Sequence, residues 1–242
     1  MSSESPPSSD PLPVEAPSDR GASADVAVRP HGPTRRAGSS VTAWVIFLLV
    51  CSAGLFSDLM TKSTAFKHVA DHPVVINRVE VIKDSNWMPP RHDPVVLIPR
   101  VLSLRLVINP GAVFGIGPGQ RPFFVIFTVF AVGVGFCLFA FRTRARDYLA
   151  HVAIALVLAG AIGNLYDRVF IGAVRDFLNL FPGVPLPFGW HWPGPNPDLF
   201  PWVFNVADML LLIGIGLLMI RLNRSQPDPA PVDDTSDAKT AD

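Results

Sequence analysis

Four long apolar segments dominate the middle of this 242-residue chain. A helix that crosses a bilayer needs about 20 apolar residues. Segments 122–141 and 201–220 meet this length, and segments 41–56 and 149–163 reach it when small flanking residues are included. Apolar residues make up 49% of the sequence and charged residues only 17%, which favours a membrane protein over a soluble one. The sequence therefore predicts an all-α integral membrane protein with four transmembrane helices.

Both ends of the chain differ in composition from this apolar middle. They are rich in Pro, Ser, Ala and Asp and contain few large apolar side chains. Segments of that composition cannot bury enough apolar surface to fold. We therefore predict a disordered N-terminal tail over 1–40, a four-helix domain over 41–222 and a disordered C-terminal tail over 223–242.

The arginines flanking the apolar segments predict the orientation of the chain in the membrane. Because short cytoplasmic loops are enriched in Lys and Arg, we expect both termini and the link between the second and third helices to be cytoplasmic. The long segment 60–120 also holds basic residues, but long translocated loops obey this rule weakly, and we expect it outside. The arginines concerned are Arg29, Arg35, Arg36, Arg142, Arg144, Arg146, Arg221 and Arg224.

This topology brings four polar stretches to the extracytoplasmic face: "SDLMTKSTA", "LVINPGAVFG", "GNLYDRVFIGAVRD" and "FNVAD". Asp58 and Lys62 are four residues apart, so an ion pair along one helix face is expected. Asn205 and Asp208 are three residues apart and are predicted to share a face, one turn inside the fourth helix.

Two carboxylates from different stretches are expected to meet at this face. Asp208 precedes a dozen apolar residues of its helix, where an unpaired carboxylate would be costly, and Asp176 lies in a predicted short extended segment. When two carboxylates approach in a semi-buried site, repulsion and desolvation raise one pKa, so that the pair shares one proton. One can then activate water while the other donates a hydrogen bond to a scissile carbonyl. The pattern indicates hydrolysis without a metal or a serine or cysteine nucleophile.

Four short motifs resemble, in order and spacing, the signature blocks of bacterial lipoprotein signal peptidase, or signal peptidase II. They are "DLMTK" (58–62), "NPGAVFG" (109–115), "GNLYDR" (163–168) with Asp176 following, and "FNVAD" (204–208). The resemblance implies four transmembrane helices with a small extracytoplasmic β-rich cradle. It also implies an aspartyl endopeptidase that cleaves a prolipoprotein before its diacylglyceryl-modified cysteine.

The resemblance, which covers about residues 43–220, implies roles for individual residues. Asp176 and Asp208 would be the catalytic dyad, working without a cofactor. The expected partners are the diacylglyceryl-prolipoprotein, membrane lipids and globomycin-type inhibitors, and the expected location is the bacterial cytoplasmic membrane, with the active site at its extracytoplasmic face. The residues implied to bind substrate or support the dyad are Asn109, Asn164, Arg168, Asn205, Asp58 and Lys62.

The sequence also departs from the family pattern. Segments 63–108 and 181–202 are longer than a compact family member needs, and we expect them to lie over the site as a lid or a substrate-binding surface. Met209 stands where the family favours a small hydroxyl residue. Arg175 precedes Asp176, and its charge is expected to lower the pKa of that carboxyl. The tryptophans expected at the membrane interface are Trp190, Trp192 and Trp202.

Some polar residues have a purely structural interpretation. Asp167 and Arg168, adjacent at a predicted helix end, are interpreted as an interfacial pair. Asp58 with Lys62 is equally an ion pair or a substrate contact. His68 and His72 form an HxxxH pair, but no third metal ligand is evident.

Other functions are weaker on the same evidence. Cys51 and Cys137 lie in apolar segments and form no CxxC pair, and the scattered basic residues do not form the stripe that a nucleic-acid partner requires. "LYD" (165–167) resembles half of the presenilin-type protease signature, but the GxGD half is absent. The main alternative is a proton-coupled transporter with Asp relays, although transporters place such acids near the bilayer midplane between repeats.

Overall fold

The computed structural model describes residues 35–111, 120–190, 192–193 and 197–224. Its helices and strands, in chain order, are α1 (Val41–His68), α2 (Arg78–Lys83), β1 (Val95–Ile98), β2 (Leu102–Asn109), α3 (Arg121–Cys137), α4 (Tyr148–Phe170), β3 (Val174–Leu180), β4 (Val203–Phe204) and α5 (Val206–Arg224).

Four of these helices are long and apolar enough to cross a membrane: α1, α3 with its π-helical continuation Leu138–Arg142, α4 and α5. Helix α4 lies at the centre and packs against the other three, and many large apolar side chains of α1, α3 and α5 point outward, as expected for helices that face lipid. The predicted fold, four transmembrane helices with a small sheet, is confirmed.

The helix boundaries differ from the predicted segments. Helix α1 continues to His68 and α4 to Phe170, because polar side chains that interrupt the apolar pattern are buried inside the bundle. Since α1 ends at His68, His72 lies outside the helix and does not share a helix face with His68. The fourth predicted segment began at residue 201, but the helix begins at Val206, because the preceding residues pair with β3 as a strand.

The predicted tails overlap the described region at both ends. Residues 35–40 contain a 3₁₀ turn in which the buried Ala37 donates its N–H to the carbonyl of Thr143 at 3.0 Å. Helix α5 includes residues 223 and 224. The rest of both predicted tails lies outside the described residues.

Glycines allow α4 to approach its neighbours closely. A Cβ atom at Gly160 would collide with the carbonyl of Ala207 on α5. One at Gly163 would collide with the carboxylate of Asp58 on α1. Small residues of this kind let helix backbones pack closely in membranes, and here they bring polar groups of three helices together.

The four strands form one antiparallel sheet in the order β1-β2-β3-β4. In its centre, Val107 of β2 pairs with Asp176 of β3. The sheet packs on the C-terminal end of α1, where Phe66 and Phe177 contribute to a buried apolar cluster. Asp176 thus lies on a strand, as the sequence predicted for the short extended segment.

The two long insertions are built around this sheet. Segment 63–108 supplies the end of α1, then α2, β1 and most of β2. The described part of 181–202 doubles back on itself, with a bridge between Pro185 and Asp198. Trp192 and Trp202 stack edge to face with ring centroids 5.0 Å apart.

Candidate active site

Asp176 is a buried carboxylate on β3, with a relative exposure of 2%. Its Oδ1 accepts a hydrogen bond from Nδ2 of Asn205 at 2.6 Å, and its Oδ2 accepts one from Nδ2 of Asn109 at 3.1 Å. Burial raises the pKa of Asp176 to about 8, and the nearby Asp208 acts in the same direction, while the two amide hydrogen bonds oppose the rise. This carboxyl therefore tends to hold a proton near neutral pH.

Asp208 lies in the first turn of α5, where Asn205 caps the helix. Oδ1 of Asn205 accepts from the N–H of Asp208 at 3.1 Å, and Oδ2 of Asp208 accepts from the N–H of Asn205 at 3.2 Å. This is a reciprocal capping box. The prediction that Asn205 lies inside the fourth helix is therefore wrong, because this residue directly precedes α5. The cap holds the Asp208 carboxylate at the start of α5.

Two asparagine amides connect these carboxylates. Nδ2 of Asn164 donates to Oδ1 of Asp208 at 2.8 Å. Nδ2 of Asn205 donates to Oδ1 of Asp176 and also, at 3.2 Å, to Oδ1 of Asn164. A continuous chain of hydrogen bonds therefore runs from β3 to α5 through α4.

Lys62 fixes the orientation of the Asn164 amide within this series of hydrogen bonds. Its fully buried Nζ donates to Oδ2 of Asp58 at 2.8 Å and to Oδ1 of Asn164 at 3.0 Å. Since Lys62 and Asn205 both donate to that oxygen, the Nδ2 group of Asn164 has to face Asp208. Asp58 in turn accepts from the N–H of Ala207 at 2.8 Å, which ties α1 to the start of α5. The predicted pair of Asp58 and Lys62 is thus a buried ion pair.

Asp167 belongs to the same network, which corrects two predictions. Nη2 and Nε of Arg175 lie 2.7 and 3.1 Å from its Oδ1, and Lys62 lies 3.4 Å from its Oδ2. The expected pairing of Asp167 with Arg168 is therefore wrong. The expectation that Arg175 lowers the pKa of Asp176 is also wrong. Successive residues of a strand point to opposite faces, so the Arg175 side chain points away from Asp176. The pKa of Asp176 is raised rather than lowered.

Helical spacing could have identified Asp167 as part of the site. It follows Asn164 by three residues, so both side chains lie on the same face of α4. In the structure Asp167 is fully buried on that face. No comparable sequence signal points to Arg175, whose partner depends on how β3 turns back along α4.

Arg168 lies beside the network without bonding to either candidate catalytic carboxylate. Its Nη2 donates to the carbonyl of Gly111 at 2.9 Å, its Nη1 donates to the carbonyl of Asn164 at 3.3 Å, and its guanidinium lies 5.4 Å from the ring centre of Phe124. Its buried Nε has no hydrogen-bond partner in the part of the chain that the structure describes. The rest of the predicted block after Gly111, residues 112–115, lies outside the described residues.

The chain is similar to proteins of one family. Residues 50–224 match the family described as signal peptidase (SPase) II. A lipoprotein signal peptidase of Desulfitobacterium hafniense is 35% identical over 146 residues, which cover 60% of this chain and 83% of that protein. One of Symbiobacterium thermophilum is 36% identical over 155 residues, or 62% of this chain and 92% of its own length.

A solved structure adds a likeness in three dimensions. It is described as that of a bacterial membrane enzyme and superposes on this chain with a TM-score of 0.50 and 28% sequence identity. The likeness covers 83% of this chain and 93% of that one. It therefore extends beyond the motif blocks to most of the chain.

Proposed function

Because this chain belongs to the signal peptidase II family, we propose that it works as an aspartyl endopeptidase with Asp176 and Asp208 as its catalytic dyad. It is a lipoprotein signal peptidase, a multi-pass membrane enzyme that removes signal peptides from prolipoproteins. The observation that carries the assignment of the dyad is the chain of hydrogen bonds that joins the two carboxylates through Asn205 and Asn164.

The two carboxylates take different roles because their surroundings differ. Asp176 is almost fully buried and its pKa is raised to about 8, so it carries the proton that the pair shares at neutral pH. Asp208 is only half-buried and therefore lies closer to water. In this proposal Asp208 accepts a proton from the attacking water while Asp176 donates a hydrogen bond to the scissile carbonyl.

The other polar residues act on the dyad rather than on the scissile bond. Asn109 and Asn205 hold Asp176 through both of its oxygens, and Asn164 holds Asp208. Lys62, neutralised by Asp58, keeps the amide of Asn164 turned towards Asp208. Pre-organised hydrogen bonds of this kind spare the site from rearranging during the reaction.

Arg168 is proposed to contact the substrate. Its side chain reaches the carbonyl of Gly111 beside the dyad, and its buried Nε is a free donor among the described residues. Because Nε is covered in the structure, it can donate to a backbone carbonyl of the signal peptide only when the bound substrate displaces the groups that cover it. The favoured substrate is a prolipoprotein cut just before a diacylglyceryl-modified cysteine, and globomycin-type inhibitors are proposed to occupy the same place.

The arginine pattern supports a topology for this proposal. Arg35, Arg144 and Arg221 lie at the ends of the transmembrane helices away from the dyad. By the positive-inside rule, these ends face the cytoplasm and the dyad opens at the extracytoplasmic surface of the bacterial inner membrane. The peptidase domain is proposed to comprise residues 41–222.

The transporter considered from the sequence is not supported, because the matching family and the relatives are peptidases. In the structure the candidate acids also lie at one end of the bundle, on a strand and at a helix start, rather than midway along broken helices.

Cleavage of a purified, lipidated prolipoprotein tests the proposed dyad. The wild type is compared with Asp176→Asn and Asp208→Asn, and Asp93→Asn, which removes an exposed carboxyl, is the matched control. We expect both dyad variants to lose cleavage by at least about a hundredfold while the control retains it, because acid/base catalysis by each carboxyl contributes about 10²–10⁴-fold. Thermal melting of each variant checks that it folds.

The outcomes distinguish the role of each of the two carboxyls from the peptidase activity of the protein as a whole. Retained cleavage by a folded Asp176→Asn or Asp208→Asn variant would remove that residue from the mechanism while leaving the enzyme a peptidase. Inhibition of the wild type by globomycin would add that the inhibitor reaches the proposed site, and an uninhibited wild type would exclude that part of the proposal.

A further inference from the structure

A polar cavity lies at the end of the bundle opposite to the dyad. Its volume is about 550 Å³, and it opens between the start of α1 and the link that joins the third transmembrane helix to α4. Its lining residues are Arg35, Ser40, Thr42, Arg144, Ala145, Arg146 and Tyr148. Three guanidinium groups and three hydroxyl groups therefore surround one space.

The backbone around this cavity is well defined. Arg36 and Arg144 form an antiparallel bridge, and the N–H of Ala145 donates to the carbonyl of Arg35 at 2.8 Å. The carbonyl of Arg144 also accepts a hydrogen bond from Nε2 of the buried His151 at 3.0 Å. The arginines thus project from a fixed framework rather than from a long loop.

The positive charge of the cavity is not neutralised by its described lining, which contains no carboxylate. The nearest acid in sequence, Asp147, binds Arg221 at 2.7 Å and caps α4 by accepting from the N–H of Ala150. Its charge is therefore already compensated. Three arginines that share a cavity without acids repel one another, and an anion between them relieves that repulsion.

The cavity lies at one end of the four apolar helices. Helices α1 and α4 begin at its edge, at Val41 and Tyr148, where the transmembrane spans end. The indole N–H of Trp44 donates to the carbonyl of Gly38 just beside it, and tryptophan and tyrosine concentrate at this level of membranes. Exposed apolar side chains of the helix that precedes the link, such as Phe141, offer a surface for acyl chains.

From this combination we propose that the cavity binds the phosphate of an anionic phospholipid headgroup, separately from the catalytic site. The guanidinium groups of Arg35, Arg144 and Arg146 bind the phosphate oxygens, because guanidinium forms paired hydrogen bonds with phosphate. Ser40 and Thr42 bind the remaining headgroup oxygens. The bound lipid then fastens the start of α1 to the link before α4.

The proposal is tested on the full-length protein in detergent. Binding of phosphatidylglycerol, phosphatidylcholine and inorganic phosphate is measured by native mass spectrometry and by the shift of the thermal melting midpoint. The wild type is compared with a triple Arg35→Gln, Arg144→Gln, Arg146→Gln variant. The matched control removes the same charge from three exposed arginines at the other end of the bundle: Arg91→Gln, Arg100→Gln and Arg105→Gln.

We expect the wild type to bind phosphatidylglycerol at least about tenfold more tightly than phosphatidylcholine, with each arginine contributing about fivefold. The triple cavity variant should lose this preference, and the control variant should keep it. Replacement of the three cavity arginines by lysine should retain the preference in part, because lysine keeps the positive charge but not the paired hydrogen bonds. Equal affinity for both lipids in the wild type, or equal loss in the control variant, would overturn the proposal. Saturation by inorganic phosphate at the same affinity would overturn the lipid assignment in favour of a free anion.

The result does not depend on peptidase activity, since neither readout involves cleavage. The lysine variant also separates charge from folding. If the glutamine variant melts like the wild type in the absence of lipid and still prefers phosphatidylglycerol, a site in this cavity is excluded.

Discussion

Replacing Asp176 by Asn should change how the stability of the protein depends on pH. The carboxyl of Asp176 is held in the folded protein with its pKa raised, by burial and then by Asp208, from 3.8 to about 8. Asparagine fills the same space but cannot ionise. The folded wild type therefore binds a proton that the unfolded chain releases over this range, and the variant does not.

The sign and size of the effect follow from proton linkage. Stabilisation from a raised pKa is complete below pH 3.8 and is lost as the pH rises through the folded value of about 8. Within that window, the wild type loses about 1.4 kcal/mol of unfolding free energy per pH unit relative to the variant. Between pH 5 and pH 7 the relative change is about 3 kcal/mol, or about 10 °C in melting midpoint for a chain of this size.

Asparagine also introduces a cost that does not vary with pH. Both oxygens of Asp176 accept from amide donors, Asn109 and Asn205, so the new amide group of the variant meets a donor instead of an acceptor. That mismatch costs about 1–3 kcal/mol at every pH. The informative quantity is therefore the slope of the difference with pH and not its value at one pH.

The assay is thermal melting of the purified protein in detergent at several pH values from 5 to 8. The melting midpoint of the wild type should fall relative to that of Asp176→Asn as the pH rises. Asp93→Asn, which removes an exposed carboxyl, is the matched control. A difference between wild type and Asp176→Asn that stays constant across this range would refute the claim that Asp176 is protonated in the folded protein.

Three further outcomes are expected. The rate of prolipoprotein cleavage should decline as the pH rises through about 8, because the shared proton leaves the dyad when Asp176 ionises; a rate that keeps rising to pH 9 would contradict the shared proton. Lys62→Met should lower the unfolding free energy by about 3–5 kcal/mol, because it leaves buried carboxylates uncompensated. Lys67→Met, on the exposed face of the same helix, should cost little, and thermal melting of both variants tests the difference. Gly160→Ala should lower the melting midpoint because its Cβ meets a backbone carbonyl, and Gly216→Ala, which meets nothing within 4 Å, should not; equal effects would mean that close packing of α4 on α5 is unimportant.

Much of this architecture follows from sequence patterns. Runs of apolar residues identify the four transmembrane helices because a bilayer imposes a minimum length on them. The sequence predicts Asp176 in an extended segment, and it lies on β3; the spacing of Asp58 and Lys62 predicts the ion pair that they form. These features depend on periodicity within one stretch of chain, which a sequence displays directly.

The features that the sequence did not reveal depend on contacts between distant stretches. Arg175 pairs with Asp167 rather than acting on Asp176, because the turn after α4 brings one face of β3 back over the helix. Hydropathy predicts too early a start for α5, because Val203 and Phe204 are apolar enough to extend the helix, yet they pair with β3. Hydropathy alone cannot distinguish a short strand from the beginning of a helix.

The buried ion pairs next to the proposed dyad affect the protonation state of its two carboxyls. Lys62 and Arg175 carry two positive charges, and Asp58 and Asp167 carry two negative ones, so this group is electrically neutral. Arg168 adds one positive charge beside the dyad. With the one proton that we propose they share, Asp176 and Asp208 carry a single negative charge, and the charges of these seven side chains sum to zero. A low-dielectric environment disfavours net charge, so the surrounding bilayer itself favours the protonation state in which this peptidase is competent to react.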